Sequence, residues 1–165
     1  PVPPTTLFRS DWSDPDTDLL AFVRKLTALR RAHPVLRQRL FLHSRPRDRD
    51  GLADLFWRLP DGRAPATADW QDPGWKALCV EIRTSSDTPD YAASDDVIFA
   101  VFNAGDAFEV RLPGSPEGLV REAILYTTDP EAGPNCMTTD TIPAPAQSVL
   151  VFARSPDTQA TEVET

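Results

Sequence analysis

The chain has 165 residues, of which 41% are apolar, with 17 prolines, 7 glycines and a formal net charge of −8. This length suits about one domain with its own hydrophobic core, and the excess of proline over glycine favours short elements joined by rigid turns over a helical bundle. The acidic charge argues against nucleic acid and anionic membranes as partners. No apolar run approaches the roughly 18 residues that a membrane span needs, so a soluble cytoplasmic protein is expected.

The first half of the sequence predicts one strong helix. Residues 1–13 hold too many prolines for a regular element and are predicted to be an extended lead-in. Asp14 is the predicted helix cap, with Pro15 at the first helical position and the pair His33-Pro34 at the end. Intervals of three and four predict one apolar stripe that must be buried against another element. The stripe consists of Leu19, Phe22, Val23, Leu26 and Leu29.

Residues 14–50 are predicted to form this helix and an arginine-rich connector. The arginines between residues 30 and 49 offer a basic patch for nucleic acid as one interpretation. Phe41 is the one aromatic residue among them, however, and a helix end followed by a solvated loop explains them better. Beyond residue 50 the apolar pattern changes to strand-length runs.

The second half of the sequence predicts an antiparallel β-sandwich over residues 51–154. The Asn103–Asp106 turn favours a hairpin between the strands on either side of it, and the continuous apolar run at 97–102 is typical of a strand covered on both faces. Residues 155–165 are predicted to be a disordered acidic tail. The predicted strands are 55–59, 77–82, 97–102, 108–112, 121–127 and 148–153.

No residue pattern in the chain predicts a reacting group, a metal site or a cofactor site. Asp61, Asp69 and Asp72 fit ordinary turn and cap positions better than the paired acids of a glycosidase. His33 and His43 lack metal-ligand or triad spacing. The two cysteines have no CxxC spacing, and Cys79, within an apolar strand, is predicted to be a buried free thiol, whereas Cys136 falls in a Pro/Gly loop.

Three of the four tryptophans fall between residues 57 and 75. Trp57 is predicted to belong to the core. Trp70 and Trp75 lie in the loop ADWQDPGW, where they could pack against the end of the sandwich or stack on sugar rings. Packing is favoured, and Trp70 and Trp75 are the candidate carbohydrate contacts.

Three segments resemble the C-terminal part of bacterial glycogen debranching enzymes of the isoamylase type, in the α-amylase superfamily. They are LLAFVRKLTALRRAHPVLR, then GLADLFWRLPDGR followed by ADWQDPGWKALCVEI, and DDVIFAVFNAGDAFEVRLP. The resemblance covers roughly residues 11–153. The chain departs from the family's pattern after Ile82, where residues 83–96 form a longer loop in place of an Asn/Asp-Gly turn.

The resemblance implies that these residues belong to an enzyme but do not contain its catalytic groups. It implies that the helix is the last one of a (β/α)₈ barrel and that residues 51–154 are the C-terminal β-domain of an enzyme that hydrolyses α-1,6 branch linkages in glycogen. The catalytic carboxylates would then lie upstream of Pro1, since such barrels carry them on their βα loops. The expected partners are that catalytic barrel and, through it, an α-glucan. A glucan-binding module and a freestanding interaction domain are the alternatives.

Overall fold

The computed structural model describes residues 16–115 and 119–156, with side chains described to Arg154. The predicted lead-in, Asp14, Pro15 and residues 157–165 of the predicted tail lie outside them. The helices are α1 Thr17–Ala32, a 3-10 turn Pro34–Arg37, α2 Thr67–Trp70 and a 3-10 turn Asp90–Ala92. The strands are β1 Leu55–Arg58, β2 Ala77–Ile82, β3 Ile98–Asn103, β4 Phe108–Arg111, β5 Leu119–Tyr126, β6 Asn135–Met137, β7 Thr141–Ala144 and β8 Ser148–Pro156.

Helix α1 begins two residues later than the sequence predicts. Asp16, in place of Asp14, is the cap, and its Oδ1 accepts hydrogen bonds from the backbone N–H groups of Asp18 at 3.1 Å and Leu19 at 2.9 Å. The predicted end is confirmed, because His33 is the C-cap and its backbone N–H still donates to the carbonyl of Leu29.

The strands form two antiparallel sheets, which confirms the predicted mainly β fold. The larger sheet has the order β1-β2-β3-β8-β5-β6, and the smaller one pairs β4 with β7. Side chains on one face of β3, β8 and β5 pack with those of β4 and β7 in a single core, so the sheets form a two-layer sandwich. This inner core contains Cys79, Phe99, Val101, Val110, Leu112, Ala123, Ile142, Ala144, Leu150 and Phe152.

The predicted hairpin between β3 and β4 is wrong. β3 pairs with β2 and β8, whereas β4 pairs with β7 in the other sheet. The reason lies in the Asn103 side chain, whose Nδ2 donates to the carbonyls of Asp106 at 2.8 Å and Pro145 at 2.7 Å. These bonds turn the chain across to the second layer, where Val110 is fully buried against the inner core.

Two strands and a helix were not predicted. β7 includes Pro143, within a proline-rich segment that the sequence suggested was only a lead into the last strand. A two-stranded sheet has only edge strands, and edges tolerate proline. β6 has only three residues, and α2 only four, so neither gives a clear period.

The outer face of the larger sheet is covered at one end by the turn Pro34–Arg37. Its Val35 and Leu36 pack on Ile98 and Ala153, so β3 is covered on both faces there, as predicted. β3 is not covered on both faces along its whole length, because Phe102, near its other end, is 44% exposed.

Helix α1 is held to the loop between β5 and β6 by polar contacts, while much of its apolar stripe is exposed. The Lys25 ammonium donates to the carbonyls of Pro130 and Ala132, and Phe22 and Leu29 are half-buried. Leu19 and Val23, however, are 58% and 47% exposed, and none of the helix residues is buried. Within the described residues, the predicted burial of the whole stripe is therefore not met.

Candidate carbohydrate-contact site

Trp57, Trp70 and Trp75 form one group of contacting rings at the edge of the sandwich. The ring centroids of Trp57 and Trp70 are 6.0 Å apart, and those of Trp70 and Trp75 are 4.8 Å apart, both in edge-to-face arrangements. Trp57 and Trp75 are half-buried, and Trp70 is 50% exposed. Trp70 therefore packs on its neighbours and also presents indole surface to solvent.

A small capped turn fixes the orientation of Trp70. The carboxylate of Asp69 accepts two hydrogen bonds from the Arg63 guanidinium, at 2.6 and 2.8 Å, and a third from the backbone N–H of Ala66 at 2.7 Å. These contacts close the single turn of α2, which ends at Trp70. Beyond it the carboxylate of Asp72 accepts from the N–H of Gly74, in the turn that leads to Trp75.

Trp70 and Trp75 line a cleft of about 680 Å³ on the outer face of the larger sheet. We call this the aromatic cleft, defined by Trp70, Trp75, Phe102, Gln147 and Val149. Its exposed rings, Trp70 and Phe102, offer flat apolar faces beside the polar side chain of Gln147. This combination suits a sugar, which has both apolar ring faces and hydroxyl groups.

The backbone at Gln147 has an unusual conformation for a residue other than glycine. Its φ is +48°, in the left-handed region that costs a non-glycine residue about 1 kcal/mol or more. The backbone N–H of Gln147 donates to the carbonyl of Gly105 at 3.1 Å, which holds this turn against the β3–β4 crossing. Gln147 is thereby held in the lining of the aromatic cleft.

The carboxylates nearby act as turn and cap groups. A neighbouring hollow of about 540 Å³ is lined by Asp61, Asp69 and Asp72. The hydrogen bonds from Arg63, followed by the N–H of Ala66, lower the pKa of Asp69 to about 2, so this group is ionised near neutral pH. A glycosidase acid needs the opposite shift, and the prediction that these residues are turn and cap groups agrees with the contacts that they make.

The two histidines are tied to aspartates. His33 Nδ1 lies 2.9 Å from Asp96 Oδ1, which joins the end of α1 to the sandwich, and His43 Nε2 lies 3.1 Å from Asp87 Oδ2. Across residues 16–115 and 119–156, no three His, Cys, Asp or Glu side chains come together in a way that would hold a metal ion. No helix in the same ranges is long and apolar enough to cross a membrane.

Cys79 is buried in the inner core and is a free thiol, as predicted, and Cys136 is also free but exposed. Burial raises the pKa of the Cys79 thiol to about 12, with a smaller opposing effect of the nearby Arg58 charge. The thiol of Cys79 is thus an inert core group.

The tryptophans of the aromatic cleft are among the candidate contacts that the sequence predicts, whereas Phe102 and Gln147 are not. Phe102 ends an apolar run that indicates two-sided burial, and its exposure depends on where the turn Pro34–Arg37 stops covering the sheet. Gln147 carries no signal beyond its place in a proline-rich turn.

The fold defines this chain as an antiparallel β-sandwich preceded by a helix, and no protein-family model matches it. The chain is 34% identical over 156 residues to the glycogen operon protein GlgX homologs of Mycobacterium bovis and Mycobacterium tuberculosis. The match covers 88% of this chain and 22% of each relative, so the chain spans about a fifth of the length of these relatives. These relatives confirm the resemblance of the chain to the C-terminal part of bacterial glycogen debranching enzymes.

Proposed function

We propose that these residues are part of a glycogen debranching enzyme that hydrolyses α-1,6-glucosidic branch linkages in the cytoplasm. The observation that carries the proposal is the 34% identity to the GlgX homologs over nearly the whole chain. In this proposal residues 14–50 are the last barrel helix with its connector, residues 51–154 are the C-terminal β-domain, and the catalytic carboxylates belong to a barrel outside these residues.

The exposed part of the helix stripe supports a packing role for this region. Leu19, Val23 and Leu26 lie on one side of α1 and are exposed, while Phe22 and Leu29 are half-buried. A contiguous exposed apolar stripe is typical of a surface that another element covers. A catalytic barrel in the same protein would bury it, and the β-domain would then stabilise the barrel and shape the groove that holds the glucan.

These residues alone are not expected to hydrolyse glycosidic bonds. Asp69, the one carboxylate of the neighbouring hollow that Arg63 holds in a bidentate pair, stays ionised, which is the wrong state for a general acid. The test compares two proteins, the 165-residue chain and the product of the complete reading frame that contains it. Release of reducing ends from glycogen should be seen with the second and not with the first. Release by the 165-residue chain, or none by the complete product, would contradict the proposal.

A glucan-binding role for the aromatic cleft is the second candidate, and the exposure of Trp70 and Phe102 beside Gln147 favours it. Truncation of a stacked aromatic typically costs about 1–3 kcal/mol of binding, so Trp70→Ala should weaken glycogen binding by roughly tenfold or more. Trp57→Phe, which keeps a ring at the half-buried end of the group, is the control. Unchanged binding in Trp70→Ala, with folding intact, would remove this candidate.

A further inference from the structure

A buried group of charges lies on the inner face of the larger sheet, beside the apolar core. We call it the arginine cluster, and its members are Arg58, Glu81, Arg83, Arg121 and Arg154. Glu81 is 1% exposed, and its carboxylate accepts from Arg83 at 2.7 Å, Arg121 at 3.2 Å and Arg58 at 3.4 Å. One carboxylate thus faces several guanidinium groups.

The sheet register brings these positive charges together. Arg121 and Arg154 are directly paired positions on β5 and β8, an arrangement in which like charges destabilise a sheet. Arg121 is 3% exposed, and burial lowers its pKa and that of Arg154, although a guanidinium remains protonated in proteins. Taking each such charge out of water costs several kcal/mol unless an anion compensates it.

Several donors of the arginine cluster are buried without a hydrogen-bond partner. They are Nε of Arg58, Arg83 and Arg154 and Nη1 of Arg121. A nearby ion pair in the connector before β1, between Arg47 and Asp50, is neutral overall and so adds no free anion. Among the described residues the cluster has four positive charges and one negative charge, with unused donors, which is the chemistry of an incomplete anion site.

A surface hollow of about 410 Å³ leads to the edge of this cluster. We call it the arginine hollow, and it is lined by Arg58, Asp61, Gly62, Arg63, Arg111, Leu112, Pro113 and Gly114. Arg121 lies behind its wall, since its Nε donates to the carbonyl of Pro113 at 3.3 Å. Arg58 belongs to both the hollow and the cluster.

The charges within the hollow are also unbalanced. Arg63 is more than neutralised by Asp61 and Asp69, whose carboxylates lie 3.2 and 2.6 Å from its nitrogens, so it has no charge left for a ligand. Arg58 donates from Nη1 to the carbonyl of Gly62 at 3.0 Å and shares Glu81 with two other arginines, and its side chain is 25% exposed. Arg111 is an exposed side chain for which the described residues provide no ion pair. The Arg111 guanidinium is therefore available to a ligand here, and the partly exposed Arg58 adds a second positive charge that the arginine cluster does not neutralise.

We infer that the arginine hollow binds a phosphate-type oxyanion, held mainly by Arg111 and attracted by the positive charge of Arg58 and of the arginine cluster behind it. Guanidinium forks match the geometry of phosphate oxygens, and a partly shielded site strengthens the attraction. The ligand is either free inorganic phosphate or the phosphoryl group of a larger molecule, because both present the same oxygens.

The test is calorimetric titration of the 165-residue chain with inorganic phosphate, and separately with a sugar phosphate, at constant ionic strength in chloride. Saturable binding is expected, and Arg111→Gln should weaken it about tenfold or more, because it removes a charge-assisted contact without touching the core. The control is Arg24→Gln, an exposed arginine on α1 that does not line the hollow. Tighter binding of the sugar phosphate would identify the larger molecule as the ligand.

Three results would overturn the inference. The first is the absence of saturable phosphate binding when the ionic strength is held constant with chloride. The second is an equal loss in Arg111→Gln and Arg24→Gln, which would indicate general screening. The third concerns Glu117, which precedes Arg121 by four positions in the sequence. If Glu117→Gln both destabilises the chain and creates phosphate binding that the unchanged chain lacks, the chain supplies its own anion and the hollow is not a ligand site.

Discussion

The inner face of the larger sheet is closed by the chain itself, whereas its outer face is covered, among the described residues, mainly at the end where Val35 and Leu36 pack. On the inner side Phe99 and Phe152 are fully buried beneath the smaller sheet. On the outer side Phe102 is exposed in the aromatic cleft. Part of the apolar stripe of α1, at Leu19 and Val23, is exposed as well. The inner face is therefore mostly buried core, whereas the outer surface keeps several large apolar side chains exposed.

The sharpest test of this difference uses two phenylalanines on the same strand. Phe99→Ala removes a fully buried ring from the inner core and should lower the free energy of unfolding by about 3–5 kcal/mol. Phe102→Ala, three residues along β3, should cost about 1 kcal/mol or less because its ring is already exposed to solvent. Urea denaturation of both variants measures the two costs. Equal losses would mean that the two faces are not different in the way described.

The charged end of the inner face should be nearly as sensitive as its apolar part. Glu81→Gln keeps the shape of the side chain but leaves three guanidinium groups without their shared carboxylate, so we expect a loss of about 3–5 kcal/mol. Glu109→Gln, on the exposed side of β4, is the matched control and should change stability by about 0.5 kcal/mol or less. A mild effect of Glu81→Gln, close to that of the control, would count against a charge excess in the cluster.

The connector between α1 and the sandwich depends on a buried aspartate. Burial by itself would raise the pKa of Asp54, but the N–H groups of Ser86 and His43 outweigh this and leave the pKa below its ordinary value of 3.8. Since the pKa is lower in the folded state, the stabilisation is present above about pH 4 and is lost as the pH falls below it.

Asp54→Asn should therefore lower stability at pH 7 by about 1–3 kcal/mol, and the difference from the unchanged protein should shrink as the pH is lowered below 3.8. Unfolding curves collected from pH 7 to pH 3 measure it. Asp48→Asn, at an exposed position in the same connector, should show neither effect. A pH-independent cost would indicate lost packing and not lost charge.

The two cysteines allow buried and exposed positions to be compared in the unchanged chain, without any substitution. At pH 8 a thiol reagent should label the exposed Cys136 rapidly and leave Cys79 unlabelled, because burial raises the pKa of the Cys79 thiol to about 12. Unfolding in urea should release the second thiol. Rapid labelling of two thiols in the folded chain would show that the inner core opens easily.

The parts of the fold that depend on local pattern could be predicted from the sequence. The end of α1 at His33, the strand β2 and the burial of Cys79 follow from apolar periodicity and helix-ending residues. The crossing of β4 into the second sheet could not be predicted, because it depends on hydrogen bonds from the Asn103 side chain to Asp106 and to the distant Pro145.

The candidate sites divide in the same way. Trp70 and Trp75 stand out in the sequence because tryptophan is rare and large. Phe102 and Gln147 join them only through the register of β3 and β8 and the turn before β8. The arginine cluster is formed by residues from four strands and the end of β2, so no window of the sequence reveals that one carboxylate serves several arginines.

The central claim is the proposal that the exposed apolar stripe of α1 packs against another part of a larger enzyme. Its most direct test is to place one substitution in two proteins. Val23→Asp should change the melting temperature of the 165-residue chain by no more than about 2–3 °C, because Val23 is 47% exposed there. In the product of the complete reading frame, the same change should clearly shorten the half-life of debranching activity on heating, because a buried unpaired charge is costly. Equal, small effects in both proteins would contradict the claim.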